Sequence, residues 1–500
     1  MECMALILRI DWLHCKKPVC FACPHLTAKL KSMKKVFIRT FGCQMNEYDS
    51  ERMYALIKDE YILCAEPKEA DLILINTCSV RKKAEEKVYG LVGRLKHLKK
   101  ARPEVIIGVC GCVAQQEGDK IIKRLPHVDM VLGPQAVYRL KEALDSVRQG
   151  KGPVVDVELR KEFRQPLIFP SLNGTAPVKA FVTIMQGCDN FCSYCVVPYT
   201  RGREISRPPE EILAEVECLV RQGVREVMLL GQNVNSYGRK EKNFPTFAEL
   251  LREVAKIPGL WRVRFTTSHP KDLTLDLMRA IAEIPEVCEH LHLPVQAGSN
   301  RVLKAMNRGY TREEYLEKVK RLREFCPEIT LTTDIIVGFP GETEEDFEET
   351  LSLLETVRFA EIFSFKYSDR PFARATQFEN KVPEEEKARR LKKVHELQEK
   401  ITREINESFI GKEVEVLVEG KSASSQEMWA GRTRSHHVVN FKGPENLKGK
   451  LVRVFIEDCG RHSLRGKFVR DLCKNAEISV ASTNTGDPFL FFGTKNENES

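Results

Sequence analysis

The sequence predicts an α/β protein in three parts: an N-terminal open parallel α/β domain, a central partial (β/α)6 barrel and a small C-terminal all-β barrel of the OB-like kind. Short β-branched apolar runs alternate with amphipathic helical runs over residues 34–150, which is typical of a parallel sheet. The strand–helix unit then repeats about six times, whereas a complete barrel has eight. After Phe409 the pattern changes to the two-residue alternation of half-buried strands.

Length and composition bound the domain count and the class of protein. A chain of 500 residues is too long for one hydrophobic core. No apolar run approaches the roughly 20 residues that a membrane span needs, so we expect a cytoplasmic protein with no membrane partner. The 17 cysteines, an odd count in so large a chain, indicate a reduced compartment and metal binding rather than a disulfide framework. The net charge of +8 is compatible with a nucleic-acid partner.

Changes in pattern and a proline-rich polar stretch predict the divisions of the chain. They are an N-terminal extension (1–33), the N-terminal domain (34–150), a linker (151–173), the central domain (174–405), the C-terminal barrel (406–471) and a disordered tail (472–500).

The N-terminal extension has two interpretations. Cys15, Cys20, Cys23 and His25 have the spacing of a zinc set. We favour an unstructured leader, because Met33 immediately precedes a convincing first strand and free chain ends are usually disordered.

Three cysteines of the N-terminal domain each follow a predicted strand. Cys43, Cys78 and Cys112 come just after the runs 36–39, 72–75 and 105–109. The carboxyl ends of parallel strands meet at one edge of a sheet, where such folds collect their ligands, so the three thiols are expected to converge. We interpret Cys110 and Cys64 as packed core residues, as free cysteines usually are.

A second group of three thiols lies in one loop after the first strand of the central domain. Cys188, Cys192 and Cys195 form the pattern C-x3-C-x2-C, with Tyr194 just before the last cysteine. Structural zinc takes four protein ligands, and His269 is the nearest downstream histidine. An iron–sulfur cluster held by three thiolates instead leaves one iron open to a substrate or cofactor. Both groups of three therefore favour clusters with an open iron.

The six predicted strands of the central domain end in polar or glycine-rich loops, at the edge where barrels place their active sites. Gln232 and Asn233 follow the second strand, Gln296 follows the fourth and Asp334 lies on the fifth. Their side chains offer amides and a carboxylate for ribose hydroxyls and an ammonium group. The strands are 181–185, 226–230, 262–267, 290–294, 331–337 and 361–367.

The C-terminal part is locally basic. Residues 411–470 contain 12 Lys and Arg against 7 Asp and Glu. Small barrels of this type often bind nucleic acids, and basic and stacking groups lie near Trp429 and Phe441. These groups are Arg432, Arg434, His436 and His437. A solvated basic face without a ligand is the alternative.

From about residue 34 to 470, the order of these motifs resembles the methylthiotransferases of the radical S-adenosylmethionine class, whose C-terminal part is a TRAM domain. The segment from Asn76 to Glu85 is similar to the branch that makes 2-methylthio-N6-dimethylallyladenosine in tRNA. Branches acting on a ribosomal-protein aspartate or on threonylcarbamoyl-adenosine usually have Gly or Thr where this chain has Ser79. Arg81, Lys82 and Lys83 add a basic edge beside Cys78 that suits a phosphate.

The resemblance implies two 4Fe–4S clusters as cofactors, held by the two sets of three cysteines, with S-adenosylmethionine bound at the barrel cluster. Reductive cleavage of that cofactor gives a radical able to attack an unactivated C–H, and the N-terminal cluster carries the inserted sulfur. The implied partners are the anticodon stem-loop of a tRNA, an electron donor such as flavodoxin or ferredoxin, and an iron–sulfur carrier.

One segment departs from the family pattern. Family members commonly carry Ser-Pro-Arg-Pro-Gly-Thr where this chain reads Ser368-Asp-Arg-Pro-Phe-Ala373. The lost glycine leaves the loop shape, and any contact of Arg370 with substrate, open. The sister-branch reactions remain alternatives, as does a non-catalytic iron–sulfur RNA-binding protein, which the two incomplete sets argue against.

Overall fold

The computed structural model describes residues 33–79, 82–160 and 177–472. The N-terminal part is one six-stranded sheet in the order β2-β1-β3-β4-β5-β6, and every neighbouring pair is parallel. Helices cover both faces, so the sheet separates two apolar cores and its central strands are buried throughout. The strands are β1 (Lys34–Thr40), β2 (Tyr61–Leu63), β3 (Leu72–Thr77), β4 (Ile106–Gly111), β5 (Met130–Leu132) and β6 (Val154–Asp156). The helices are α1 (Gln44–Ile57), α2 (Lys82–Ala101), α3 (Cys112–Glu117), α4 (Asp119–Arg124) and α5 (Leu140–Arg148).

The central part confirms six parallel strands in an open arc. They form two three-stranded sheets, β7-β10-β11 and β12-β13-β14, and the bridge between Val263 and Val287 joins the sheets. A short antiparallel pair, β8 with β9, lies outside the arc. The strands are β7 (Lys179–Thr183), β8 (Met185–Gln186), β9 (Ile205–Ser206), β10 (Glu226–Leu230), β11 (Arg262–Phe265), β12 (His290–His292), β13 (Thr330–Val337) and β14 (Glu361–Lys366). The helices are α6 (Val197–Thr200), α7 (Pro209–Arg221), α8 (Phe247–Ala255), α9 (Leu275–Glu283), α10 (Asn300–Ala305), α11 (Arg312–Phe325) and α12 (Glu344–Val357).

A long helix, α13 (Glu384–Glu407), leads into a closed five-stranded barrel. The strand order is β15-β16-β17-β19-β18, and the one parallel pair, β17 with β19, closes it. Alternate side chains of β15 and β18, among them Val416 and Val454, fill its core. The small all-β barrel expected from the sequence is confirmed. The strands are β15 (Glu413–Ser422), β16 (Ser425–Arg432), β17 (Val438–Lys442), β18 (Leu451–Cys459) and β19 (Leu464–Asp471).

Buried arginines join the C-terminal barrel to the central part. Arg262 and Arg264, on β11, are 1% and 2% exposed. Arg262 donates to the carbonyl of Arg432 at 2.7 Å and to Glu415 at 2.8 Å. Arg264 donates to the carbonyls of Thr433 at 2.7 Å and Arg434 at 2.8 Å. The two domains therefore share buried charge-assisted hydrogen bonds.

The same interface engages two of the basic groups that the sequence analysis considered for nucleic-acid binding. Arg434 pairs with Glu289 at 2.7 Å, and His436 stacks on the buried His290 at 4.7 Å between ring centroids. Burial lowers the pKa of both histidines well below the usual range. Arg434 and His436 are therefore turned toward the central part, because a charge excess in the sequence does not determine which face of a barrel the charges occupy. The basic side chains left exposed include Lys442, Lys448 and Arg470.

A second set of buried ion pairs joins the N-terminal and central parts. Glu215 on α7 accepts hydrogen bonds from Arg52 on α1 and from Arg207, and all three side chains are at most 5% exposed. Arg201 donates to Asp49 at 2.8 Å, also out of solvent. Such pairs fix the two domains against each other, because separation would leave charges unpaired. Across the described residues, no helix is long and apolar enough to cross a membrane.

Candidate active site

The first group of thiols is built from three neighbouring strand ends. Cys43, Cys78 and Cys112 follow β1, β3 and β4, which lie side by side in the sheet. The Cys43 and Cys78 side chains are hydrogen-bonded to each other, and Cys43 and Cys112 are close enough to interact electrostatically. The structure thus brings together the three thiols that the sequence places 35 and 34 residues apart.

Two glycines and two asparagines shape this site. A Cβ on Gly42 would lie 2.5 Å from that of Cys78, and one on Gly111 would lie 2.4 Å from the Asn76 side-chain oxygen. Both glycines also have positive φ, 144° and 91°. A larger residue would therefore be disfavoured by its backbone conformation as well as by these contacts. Asn46 and Asn76, both 0% exposed, bond to each other and to the backbone, which fixes the first turn of α1 against the end of β3.

The electrostatics of the first group favour thiolates. Cys43 caps α1, and Cys112 is the first residue of α3, so both sulfurs lie at the positive ends of helices. The hydrogen bond from Cys78, together with the nearby Arg201 guanidinium, lowers the pKa of Cys43 to about 6. Burial raises the pKa of Cys112, and a hydrogen bond from Arg201 opposes that shift. Arg201 comes from the central domain and completes the site.

The other cysteines of this domain are packing residues, as expected. Cys110 is fully buried on β4 within the apolar core, and burial raises its pKa to about 12. Cys64 packs half-buried against the second core. Cys15, Cys20, Cys23 and His25 lie outside the described residues.

The second group of thiols lies within one loop. Cys188, Cys192 and Cys195 follow β8, and their mutual electrostatic influence shows that they lie together. Burial raises the pKa of Cys188 to about 11 and that of Cys195 to about 12. Gly187 has φ 78°, and a Cβ there would lie 2.0 Å from the carbonyl oxygen of Arg203, so only glycine fits at the start of the loop.

A buried arginine supports this loop from the opposite side of the barrel. Arg308 is 4% exposed and donates to the Cys192 sulfur at 3.3 Å and to the Pro294 carbonyl at 2.6 Å. Its Nε donates to the Tyr310 hydroxyl at 2.9 Å. Tyr310 in turn donates to the carbonyl of Val295 at 2.9 Å. A guanidinium beside a thiol set stabilises the negative charge of thiolates or of a bound cluster.

The sequence analysis missed both Arg201 and Arg308. A buried arginine has no periodicity that distinguishes it from a surface arginine. Only their positions in the sequence could have pointed to these two arginines. Arg201 lies six residues after Cys195, and Arg308 follows the short helix α10 on the rim.

Three of the predicted cofactor contacts follow strands β10 and β12 and the fourth, Asp334, lies within β13; each has a protein partner. Gln232 accepts from the Gly187 amide at 2.6 Å and so braces the cysteine loop. Asn233 donates to Asp272 at 2.8 Å, while its own side-chain oxygen is buried without a partner among the described residues. Gln296, with φ 78°, and Asp334 are joined by a backbone hydrogen bond of 2.9 Å. The Asp334 carboxylate is 3.6 Å from the His292 ring.

Two predicted substrate regions are described only in part. Ser79 is buried beside Cys78, whereas residues 80 and 81 and the side chains of Lys82 and Lys83 lie outside what the structure describes. In the loop that departs from the family pattern, Phe372 takes φ 68° and is 58% exposed. The loop keeps the left-handed turn that a glycine would favour, with a phenylalanine in its place.

The thiol sets suit iron–sulfur clusters better than single metal ions. Within the described residues no group of three His, Cys, Asp or Glu side chains is arranged to hold one ion. A cluster takes one thiolate per iron and so accepts sulfurs spread more widely than around a single ion. Three thiols and a buried guanidinium at each site, with two helix ends at the first, fit an anionic cluster at both sites.

Comparison with known proteins decides the family. Three families match separate ranges: Uncharacterized protein family UPF0004 over 35–133, Radical SAM superfamily over 182–354 and TRAM domain over 407–469. The tRNA-2-methylthio-N(6)-dimethylallyladenosine synthase of Syntrophobacter fumaroxidans is 51% identical over 437 residues, which cover 87% of this chain and 95% of that protein. The synthase of the same name from Geotalea uraniireducens is 50% identical over 438 residues, 87% of this chain and 99% of that protein.

The chain belongs to the tRNA-2-methylthio-N(6)-dimethylallyladenosine synthase family. A further member, from Syntrophotalea carbinolica, is 48% identical over 438 residues and is covered over its whole length. Membership confirms the resemblance inferred from the order of the cysteine motifs and the basic β-rich C-terminal part.

Proposed function

We propose that this chain is a radical S-adenosylmethionine methylthiotransferase that places a methylthio group on carbon 2 of N6-dimethylallyladenosine, next to the anticodon in tRNA. The observation that carries the proposal is two separate three-thiol sites in one chain of this family, the first completed by Arg201 from the domain that holds the second. A protein that only bound RNA would need neither a second site nor sites short of a fourth ligand.

Each site has a proposed role in this reaction. Cys188, Cys192 and Cys195 hold one 4Fe–4S cluster, and Cys43, Cys78 and Cys112 hold the other. When bound, the clusters and S-adenosylmethionine supply one-electron and sulfur chemistry that amino-acid side chains lack. The proposed contacts to S-adenosylmethionine are Gln232, Asn233, Gln296 and Asp334; a bound structure with all four beyond about 5 Å would refute the set.

The protein's own groups hold charge and exclude water. Arg201 and Arg308 place a fixed positive charge beside each thiol set, where low dielectric strengthens the interaction. The closed network of Arg52, Arg207 and Glu215 seals the join between the domains that carry the two sites. A dry interior protects a reactive radical from side reactions.

The remaining assignments follow from this function. We assign cluster binding to residues 34–150, the radical domain to 174–405 and RNA binding to 406–471, with 151–173 as the linker. The tRNA anticodon stem-loop is the macromolecular substrate. An electron-donor protein such as flavodoxin or ferredoxin and an iron–sulfur carrier complete the partners, and the cytoplasm is the compartment.

The experiment uses matched tRNA stem-loops with and without the prenyl group on the target adenosine, incubated with enzyme reconstituted without oxygen. We expect the methylthio product, measured by mass spectrometry of nucleosides, only from the prenylated RNA. Binding is expected to weaken steeply with salt because phosphate contacts release counterions. Equal product from both RNAs, or product only on threonylcarbamoyl-adenosine or on a ribosomal protein, would assign the chain to a sister branch.

A further inference from the structure

Three aromatic side chains form an exposed patch beside the cysteine loop of the central domain. Phe191, Tyr199 and Phe372, the rim patch, are 39%, 42% and 58% exposed. The Tyr199 ring lies 6.3 Å from that of Phe191, edge to face, and 5.8 Å from that of Phe372. Large apolar side chains that cluster at the surface, rather than scatter singly, usually mark an interaction site.

Backbone strain sets this patch apart from ordinary surface aromatics. Phe191 has φ 45° and Phe372 has φ 68°, both in the left-handed region that bulky residues avoid. Such a conformation is unfavourable and is found mostly where function requires it. Here it projects two rings outward when burial in the core would be more favourable for each of them.

The position of the patch relates it to both thiol sets. Phe191 lies between Cys188 and Cys192, and Phe372 lies in the loop after β14, at the carboxyl end of the last barrel strand. Tyr199 lies on α6, the short helix that ends just before Arg201 and packs against α3 of the first site. The patch therefore stands on the rim beside the join between the two sites.

The charges around the patch suit a polyanion. The Arg203 guanidinium lies 5.3 Å from the centre of the Phe191 ring, and its side chain is 71% exposed. Arg374, two residues after Phe372, is exposed and has no ion-pair partner among the described residues. Asp189, two residues before Phe191, is paired with both Arg203 and Lys240.

We propose that the rim patch is a stacking platform for an unpaired nucleobase of the RNA loop, next to the adenosine that enters the site. The inference rests on the proposed function, in which one carbon of the target base must reach both thiol sites. The nucleotides next to that base in the RNA loop must then cross the rim. Exposed rings flanked by guanidinium groups are the usual means of binding unpaired bases.

The size of the patch favours a base over a protein. Aromatic residues offer about 150–250 Å² each, so three half-exposed rings present about 300 Å². A standard protein interface needs about 800 Å² from each partner. One or two stacked bases match the smaller area.

The test measures binding, which needs no turnover. Stem-loops carrying fluorescent 2-aminopurine at each position flanking the target adenosine are titrated with the cluster-loaded enzyme. We expect quenching at one flanking position, because stacking on an aromatic ring quenches this base. Phe372→Leu and Tyr199→Leu should each weaken affinity by about 5- to 100-fold and remove the quenching. Tyr199→Phe, which keeps the ring, should restore both.

A matched control lies elsewhere on the barrel. Phe325 is 38% exposed, and Arg279 lies 5.8 Å from its ring centre, much as Arg203 does at Phe191. Phe325→Leu should bind RNA like the wild-type protein. Iron content and melting temperature of every variant are measured alongside, so that misfolding is recognised.

The outcomes distinguish failure of the stacking proposal from failure of the proposed function. Affinity within twofold of wild type in both leucine variants, with no quenching at any position, would overturn the platform. A second result would also overturn the platform: leucine variants that bind RNA normally and are active with dithionite but inactive with reduced flavodoxin. That result would make the patch a docking site for the electron donor. Wild-type quenching without any methylthio product would leave the platform standing and refute the proposed function.

Discussion

The two thiol sites have the same number of ligands but are built in opposite ways. The first takes one cysteine from each of three strand ends that lie more than 30 residues apart, whereas the second takes all three from a loop of eight residues. In the first site the pKa of Cys43 is lowered to about 6 while burial raises that of Cys112, and in the second site burial raises the pKa of Cys188 to about 11 and that of Cys195 to about 12. Each site has a buried arginine beside its thiols, and the site assembled by the fold also has two helix ends.

Removing either set of three cysteines is expected to have the largest effect on the reaction. Replacing Cys188, Cys192 and Cys195 by Ala should abolish both S-adenosylmethionine cleavage and the methylthio product and leave about four irons per chain. Replacing Cys43, Cys78 and Cys112 should leave the same iron content and preserve cleavage, but stop sulfur insertion. Iron and sulfide analysis and the yield of 5′-deoxyadenosine measure these effects.

Cys218→Ala, in a half-buried cysteine on α7 that belongs to neither set, serves as the control for both triple variants. Methylthiolation by the second triple variant would show that the two sites do not divide the reaction as we propose.

The two arginines provide the next largest contrast. Arg201 pairs with the buried Asp49, so Arg201→Met leaves a charge unpaired and should cost about 3–5 kcal/mol of folding stability. Arg308 binds the Tyr310 hydroxyl, the Pro294 carbonyl and the Cys192 sulfur, with no carboxylate among these partners, so Arg308→Met should cost only about 1–3 kcal/mol. Urea unfolding of the metal-free proteins measures both.

Arg201→Met combined with Asp49→Asn removes both charges and should recover part of the stability that Arg201→Met loses. Equal costs for the two single variants would mean that the Arg201 pair is solvated rather than buried.

Thiol reactivity gives a smaller effect, with a defined pH dependence. A pKa of about 6 means that Cys43 is a thiolate at neutral pH, so its alkylation rate in metal-free protein should level off above that pH. Cys188, with a pKa of about 11, should react faster with each rise in pH through the alkaline range. At pH 7.5 we expect Cys43 to react about tenfold faster, because the greater thiolate fraction outweighs its lower nucleophilicity.

Peptide mass spectrometry after timed iodoacetamide treatment reads each cysteine separately. A Cys43 rate that keeps rising up to pH 9 would contradict the charged character of the first site.

The smallest effect concerns backbone conformation. The first site places Gly42 and Gly111 at its positive-φ positions, whereas the rim beside the second site has Phe372 in that region. Phe372→Gly should change folding stability by less than about 1 kcal/mol, because relief of the left-handed strain is offset by the greater freedom of glycine in the unfolded chain. Thermal melting measures this, and a loss of several degrees would show that the Phe372 ring contributes to folding.

Sequence reasoning predicted long elements and cysteine positions well, because both depend on local pattern. The run at 226–230 matches β10 because a buried parallel strand is mostly apolar, as Val227 to Leu230 are. The two- and three-residue strands β2, β6, β8 and β9 were missed because they are too short for any periodicity, and β6 lies within the predicted linker. Arg262, Arg264, Arg201 and Arg308 could not be identified, because burial of a charge is decided by partners distant in the chain.

The bonds from Arg262 and Arg264 to the C-terminal barrel affect how a truncated enzyme can be interpreted. Removing residues 407–472 would strip away four hydrogen-bond acceptors and expose two guanidinium groups that now lie inside the protein. If a shortened chain failed to modify RNA, the cause could then be damage to the central domain as well as loss of RNA binding. Point changes at the exposed Lys442, Lys448 or Arg470 leave those hydrogen bonds intact and so test the proposed RNA contact by itself.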